Sequence, residues 1–415
     1  MKRWLYLYLL TFLIATPKTF SQEKFSLEDY LAIAKKNSPL LNDYNNKCFL
    51  LKIDSLKLRA DYGLHVSAIG DASYSPDIHG WGYNGDIAAG HNLAAIVQVS
   101  KEILSKENLN AHLANYSLAI QQLINQSQIT EIQLNQAITE QYINVYAAQQ
   151  KYMIVQEIIK LLEQEDEILK KLTRETAFKQ TEYLSFKVTL QQNILALQQE
   201  YNNWQNEYSI LNYLSGIVDT TLHILQPQIV PEKIPLSFEQ SVYADKYRID
   251  SLKLANDDRI INYEYHPKLT VYVDCGYSSA INATPYKNFG ARTGVSLNIP
   301  IYDGNKRKMS IQQNQLELST LKFYSDFQRN QYQQQSAQII KQIQQYKQMK
   351  VTATEQLKYA KALIEANMKQ LPAGDVKVSD FILSINNYIN LKTELVQYEA
   401  SLYNLYNHLH NITLQ

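Results

Sequence analysis

The sequence predicts a mainly α-helical chain with a small β part, organised as very long helical hairpins in two internal repeats. Three observations predict this. From His91 to Ser215 there is neither glycine nor proline, and residues 305–371 and 375–415 are equally free of both. All but Gly216 and Gly374 of the 12 glycines fall instead within 63–90 and 276–304, where spacing turns from helical to alternating. Finally, the hexapeptide Ile53-Asp54-Ser55-Leu56-Lys57-Leu58 recurs unchanged as Ile249-Asp250-Ser251-Leu252-Lys253-Leu254.

Residues 1–21 read as a secretion signal. Lys2 and Arg3 supply a basic start, Trp4 to Ala15 an apolar core too short to span a bilayer, and Thr19-Phe20-Ser21 the small residues of a cleavage site. Cleavage is expected near Ser21. No later run of about 18 apolar residues follows, so no transmembrane helix is expected, and membrane insertion would require a β-barrel. No cysteine follows the cleavage region, which argues against a lipid anchor there. Cys48 and Cys275 make no disulfide framework and are expected as unpaired, packed thiols.

The first repeat is assigned to 22–215 and the second to 237–415. Between them, 216–236 is a proline-rich linker in which Pro227, Pro231 and Pro235 bar a regular helix. Two weaker matches lie at nearly the offset of the hexapeptide. Val97-Gln98-Val99 with Ile103 matches Val295-Ser296-Leu297 with Ile301, and Thr181-Glu182-Tyr183-Leu184 matches Ser379-Asp380-Phe381-Ile382. Each half reads helix, strand, loop, strand, very long helix, turn, helix. Between the hexapeptide and its next strand the second half carries about seven extra residues, or about two helical turns.

Four strands are predicted by alternation. In 269–277, Leu269, Val271, Val273, Cys275 and Tyr277 oppose Thr270, Tyr272, Asp274 and Gly276. In 289–301, Phe289, Ala291, Val295, Leu297, Ile299 and Ile301 oppose Arg292, Gly294, Ser296 and Asn298. The first half repeats this more weakly. Leu64, Val66, Ala68 and Tyr74 oppose His65, Ser67, Asp71 and Ser73; Leu93, Ala95, Val97 and Val99 then oppose Gln98 and Ser100. An apolar outside with a polar inside suits a membrane barrel, and an ordinary sheet with one wet face fits the strand pattern as well. Four strands cannot close a barrel and open edges are not tolerated in lipid, so the membrane reading requires oligomerisation, most simply three chains giving twelve strands. A helix over 305–371 would be about 100 Å long and needs neighbours to bury its apolar stripe.

The stretch Gly294-Val-Ser-Leu-Asn-Ile-Pro-Ile-Tyr-Asp-Gly304, followed by Asn305-Lys306-Arg307-Lys308, resembles the strand-to-helix junction of the TolC family of outer-membrane efflux proteins. Gly374-Asp-Val-Lys-Val-Ser-Asp380-Phe-Ile-Leu is similar to that family's hairpin tip, and the opening Phe25-Ser-Leu-Glu-Asp-Tyr-Leu also fits. The first half departs from the pattern: its junction, Ile103-Leu-Ser-Lys106, lacks proline and glycine, and its tip, Ala177 to Glu182, lacks glycine. The resemblance spans essentially the whole mature chain. It implies a homotrimer whose twelve-stranded barrel sits in the outer membrane and whose helices form a periplasmic α-barrel. It also implies that periplasmic adaptors and inner-membrane transporters dock at the hairpin tips.

Candidate site residues follow. Asp71, Asp274 and Arg292 are lumen candidates by alternation. Gly374, Asp375, Ser379 and Asp380, with Thr181 and Glu182, are candidates for docking or gating at the tips; Ser379 also reads as an N-cap with an acid in its first turn. Lys306, Arg307 and Lys308 either contact lipid headgroups or form a solvated cluster.

Signals for other chemistry are weak. Gly80-Trp-Gly82-Tyr-Asn-Gly85 fits a dinucleotide fingerprint as a string, but no helix opens there and no parallel βαβ unit surrounds it, so a loop from Pro76 to Asn92 is expected. His408 and His410 are two apart on a helix, with no third ligand, and are expected as solvated helix-end histidines. No catalytic residue, cofactor or metal site is assigned. Forty basic and forty acidic residues balance, which removes any broad field for nucleic acid. The reading is therefore a passive outer-membrane exit duct, with outer-membrane lipid among its partners. The alternative is a secreted or periplasmic structural coiled-coil protein. A periplasmic adaptor would need a larger β domain than four strands supply.

Overall fold

In the computed structural model the described residues are 26–75, 90–103, 105–175, 178–219, 221–226, 237–280 and 287–412. The signal segment, the glycines at 80, 82 and 85, and the three linker prolines lie outside them. Helices α1 (Leu27–Asn37) and α2 (Pro39–Asp61) lead to strands β1 (His65–Ser75) and β2 (Gly90–Ile103), then α3 (Lys106–Arg174) and α4 (Gln180–Ser215). A 3-10 turn (Phe238–Gln240) and α5 (Val242–Glu264) open the second half, followed by β3 (Lys268–Ala280), β4 (Phe289–Asn298), α6 (Lys306–Gln370) and α7 (Val378–Ile412). The order of elements thus repeats. The extra residues after the second hexapeptide are all helical, since α5 runs on to Glu264 whereas α2 stops at Asp61.

The strands form one antiparallel sheet in the order β1-β2-β3-β4. Its register puts Val66, Val99, Val273 and Thr293 in one row and Ala68, Val97, Cys275 and Ala291 in the next. That face is mostly apolar, as the alternation predicts, with Thr293, Ser279 and Lys101 among its polar members. β4 ends at Asn298 rather than at residue 301, because Pro300 has no N–H to give the ladder. Cys275 is free and exposed on the apolar face, not packed as expected; Cys48 is free and half-buried. No described helix is long and apolar enough to cross a membrane.

The chain divides into two compact units that cut across the repeats. One holds the described residues within 1–38, 133–234 and 337–411. It has a core of Ile158, Leu162, Leu169, Phe186, Leu371, Phe381 and Ile385, in which the rings of Phe186 and Phe381 stack 6.5 Å apart. A second core joins Tyr30 of α1 to Ile138, Tyr142, Val145, Trp204, Tyr208, Leu211 and Leu225. Helix α1 starts with a capping box: the Asp29 N–H donates to Ser26 Oγ, and the Ser26 N–H donates to the Asp29 carboxylate. Beyond α4 the chain is pinned by side-chain amides. Gln149 donates to the Leu225 carbonyl at 3.2 Å and accepts from the Leu225 N–H at 2.9 Å, and the Tyr142 hydroxyl donates to the Gln226 carbonyl.

The other unit holds the described residues within 39–132 and 235–336, including the sheet. Here α3 meets α5 through polar contacts: Asn125 donates to the Val242 carbonyl, Asn256 to the Ala111 carbonyl and Gln122 to Asp250. Asp250 belongs to the second hexapeptide; its counterpart Asp54 instead pairs with Lys57 of its own helix. Helix α2 is almost uncovered, with Leu41 its only buried residue and Phe49, Leu50, Ile53 and Leu56 exposed.

Candidate functional site

The polar face of the sheet is built by register. Ser67, Gln98, Asp274 and Arg292 stand in one row across all four strands. The Arg292 guanidinium donates from Nε and Nη2 to one Asp274 oxygen at 3.1 and 2.9 Å. The two partners are unequally covered: the Asp274 side chain is 7% exposed and that of Arg292 66%. The guanidinium also lies 5.7 Å from the Tyr272 ring. Tyr272 faces Gly294 across the ladder, and its ring fills the space where a Cβ on residue 294 would stand, so only glycine lets it lie there. The structure therefore brings Asp274 and Arg292 together. Asp71 shares their face but sits rows away, opposite Ala94 and in hydrogen-bond contact with Ser73.

One row on this face breaks the alternation. Ile69 and Ile96 pair across β1 and β2, and their row continues through Gly276 and Gly290, which carry no side chain. Alternation alone turns both isoleucines to the polar side, but only the register shows that they meet in one row.

At the junction after β4, Asp303 caps α6. Its carboxylate accepts from the Asn305 and Arg307 N–H groups at 2.9 and 2.8 Å, which holds its pKa below the ordinary carboxylate value. Arg307 is not a free interface charge. It donates to Asn262 Oδ1 and lies 5.6 Å from the Tyr265 ring, both from the end of α5. Lys306 and Lys308 are exposed. In the first half Ser105 does the work of Asp303, accepting from the Asn108 N–H at 3.2 Å.

At the hairpin tips, α6 ends in a Schellman motif. Gly374 takes φ 79°, its N–H donates to the Leu371 carbonyl and the Asp375 N–H donates to the Gln370 carbonyl, a geometry that favours glycine. The return helix begins at Val378, which is buried in the tip core, so Ser379 is not the N-cap expected from the sequence. The Lys377 carbonyl accepts from the Asp380 and Phe381 N–H groups instead, and Ser379 contacts Asp380. The other tip matches it: Lys179 is the N-cap, its carbonyl accepting from Glu182 and Tyr183, with Thr181 exposed beside it. Gly374, Asp375, Ser379 and Asp380 are exposed.

Two further charged groups were not singled out in the sequence. Glu165 is buried, one of its carboxylate oxygens has no hydrogen-bond partner, and burial raises its pKa. The neighbouring Asp166 is buried too, and pairs with Lys187 at 2.8 Å. His408 is half-buried rather than solvated, its Nδ1 lying 2.7 Å from the Gln136 amide nitrogen. No group of three or more His, Cys, Asp or Glu able to hold a metal occurs among the described residues.

A four-stranded antiparallel sheet with one largely apolar and one polar face, combined with a repeated order of long helices, is the fold found in solved structures of outer-membrane channels. The solved structures it is similar to are of that kind. CusC, studied for its folding and transmembrane channel formation, matches with a TM-score of 0.76 and 11% identity over 94% of this chain and 92% of its own. The outer-membrane channel OprN matches with a TM-score of 0.74 and 10% identity over 93% and 89%. The open state of the MtrE outer-membrane channel of Neisseria gonorrhoeae matches with a TM-score of 0.73 and 11% identity over 94% and 89%. At such identities the likeness is one of fold. No family model matches the chain. No curated protein sequence matches it either.

Proposed function

We propose that this chain is an outer-membrane channel, the exit duct of a tripartite efflux or secretion system that passively conducts substrates to the exterior. One observation carries the reading: a sheet with a largely apolar face, broken by Lys101, Ser279 and Thr293, and edge strands β1 and β4 that pair on one side only among the described residues. In lipid such edges must close, and three copies joining β4 to β1 give a twelve-stranded barrel with the polar face inward. The helices support the same assembly. On α6, Met309, Leu316, Phe323 and Phe327 form an exposed apolar stripe at helical spacing, which a neighbouring copy would cover.

In this reading residues 1–21 are removed on export and Asp71, Asp274 and Arg292 line the strand lumen. Lys306 and Lys308 reach lipid headgroups at the barrel rim, while Arg307 braces the junction. The tip residues Thr181, Glu182, Gly374, Asp375, Ser379 and Asp380, all exposed but the half-buried Glu182, meet a periplasmic adaptor linked to an inner-membrane transporter. The duct itself does no chemistry; energy comes from those partners.

The test is single-channel conductance of the purified mature chain in planar bilayers, with oligomer mass measured in the same detergent. Discrete steps from a trimer support the reading. A monomer that needs no detergent and conducts nothing overturns it in favour of a structural coiled-coil protein.

A further inference from the structure

We propose that Arg292, backed by Asp274 and bordered by Ile69 and Ile96, forms a selectivity ring that favours organic anions with an apolar body. The inference rests on the trimeric channel reading. Three copies related by a threefold axis place three Asp274 and Arg292 pairs at one depth of the lumen.

Each pair is neutral in sum but not in what it presents. The carboxylate is 7% exposed and the guanidinium 66% exposed, so the positive end meets lumen water while the negative end is shielded behind it. A guanidinium that donates to Asp274 through Nε and Nη2 keeps further N–H groups for a passing acceptor. Tyr272 fixes its position from the side. The other charges on this face stand in different rows: Glu102 and Lys268 toward the helical ends of the strands, Asp71 beyond the isoleucines. None of them offsets Arg292 at its own depth.

The isoleucine row gives the second half of the specificity. Ile69 is 40% exposed and Ile96 half-buried, and among the described rows of this face theirs alone holds no polar side chain. Apolar surface left open in a water-filled lumen is unfavourable, and a solute that covers it is held there. Gly276 and Gly290 leave room over the same row. A solute carrying a sulfonate or carboxylate on an apolar body would set its charge on Arg292 and its body on the isoleucines one row away. Low-dielectric walls beside the guanidinium strengthen that contact.

The experiment measures reversal potentials in a KCl gradient across planar bilayers and block of the current by octanesulfonate. Wild type should prefer chloride. Arg292→Gln leaves Asp274 unbalanced and should shift the reversal potential toward potassium; Asp274→Asn frees the guanidinium and should shift it further toward chloride. Opposite shifts from two single substitutions are not a result that misfolding produces, and Arg292→Lys should hold the wild-type value. Octanesulfonate should block wild type and lose about tenfold in apparent affinity in Arg292→Gln and in Ile69→Ser/Ile96→Ser, the loss of one charge-assisted or apolar contact. Identical reversal potentials in all these channels, or block indifferent to both sets of substitutions, overturn the ring while leaving the channel intact. A wild-type protein without conductance removes the channel reading itself.

Discussion

Gln149→Met isolates the pin that holds the chain beyond α4. The substitution keeps the length and bulk of a side chain that is 1% exposed, and removes both of its hydrogen bonds to the Leu225 backbone. Leu225 is itself buried, so its N–H and carbonyl have no water to turn to. An unsatisfied buried polar group costs about 1–3 kcal/mol, so the two together cost about 2–6 kcal/mol. The protein need not pay that by unfolding: residues 221–226 can lift away locally, against the Tyr142 bond to Gln226, the Tyr208–His223 ring contact and the seating of Leu225 in its core. Hydrogen exchange followed by mass spectrometry reads this directly. Even the low end of the range corresponds to about 30-fold faster exchange at Leu225. Gln149→Glu keeps an acceptor for the Leu225 N–H and should fall between wild type and Gln149→Met. Exchange within about threefold of wild type in Gln149→Met would refute the reasoning, because the pin would then contribute nothing.

Three other outcomes are expected. Gly374→Ala forces a side chain into the left-handed region and should destabilise the tip by about 1–2 kcal/mol in denaturant titration, with Gly374→Asn costing less. Phe381→Ala should cost about 3–5 kcal/mol and open both tips to protease, since its ring is fully buried against Phe186. Glu165 has its folded-state pKa raised, so the folded protein holds this proton more tightly than the unfolded chain. Its contribution is therefore complete below the ordinary glutamate value of 4.5 and is lost as pH rises through the raised one. Glu165→Gln should then raise stability by about 1 kcal/mol at pH 8 and leave it unchanged at pH 4, measured as melting temperature against pH.

The fold was legible because its grammar is local. Breaker-free runs mark α3, α4, α6 and α7, and alternation alone assigns the apolar and polar faces of the strands, including Asp274 and Arg292. What escaped depends on partners distant in sequence. Tyr272 lies over Gly294, and Ile69 pairs with Ile96, through a register that alternation cannot fix. Ser379 looked like a cap because of its residue type, but the helix starts at the buried Val378, two residues earlier than a cap at Ser379 would place it. Glu165 reads as one more helix-surface acid until α3 is seen to turn it inward. The first-half junction, which lacks proline and glycine, caps its helix differently, with Ser105 accepting from the Asn108 N–H.

The two compact units are each gathered from separated stretches of chain, and this bears on biogenesis. The unit begun by α1 is completed by residues up to 411, so the core that joins Phe186 to Leu371, Phe381 and Ile385 becomes available only when synthesis is nearly finished. The core around Tyr30, Tyr142, Trp204 and Leu225 lies wholly within the first half and its linker, whereas the tip core needs both halves, so an emerging first half can gather one core and not the other. Such a polypeptide stays short of its native state throughout elongation. Closure of the tip core, with Phe186 against Phe381, is thereby deferred until the second half arrives.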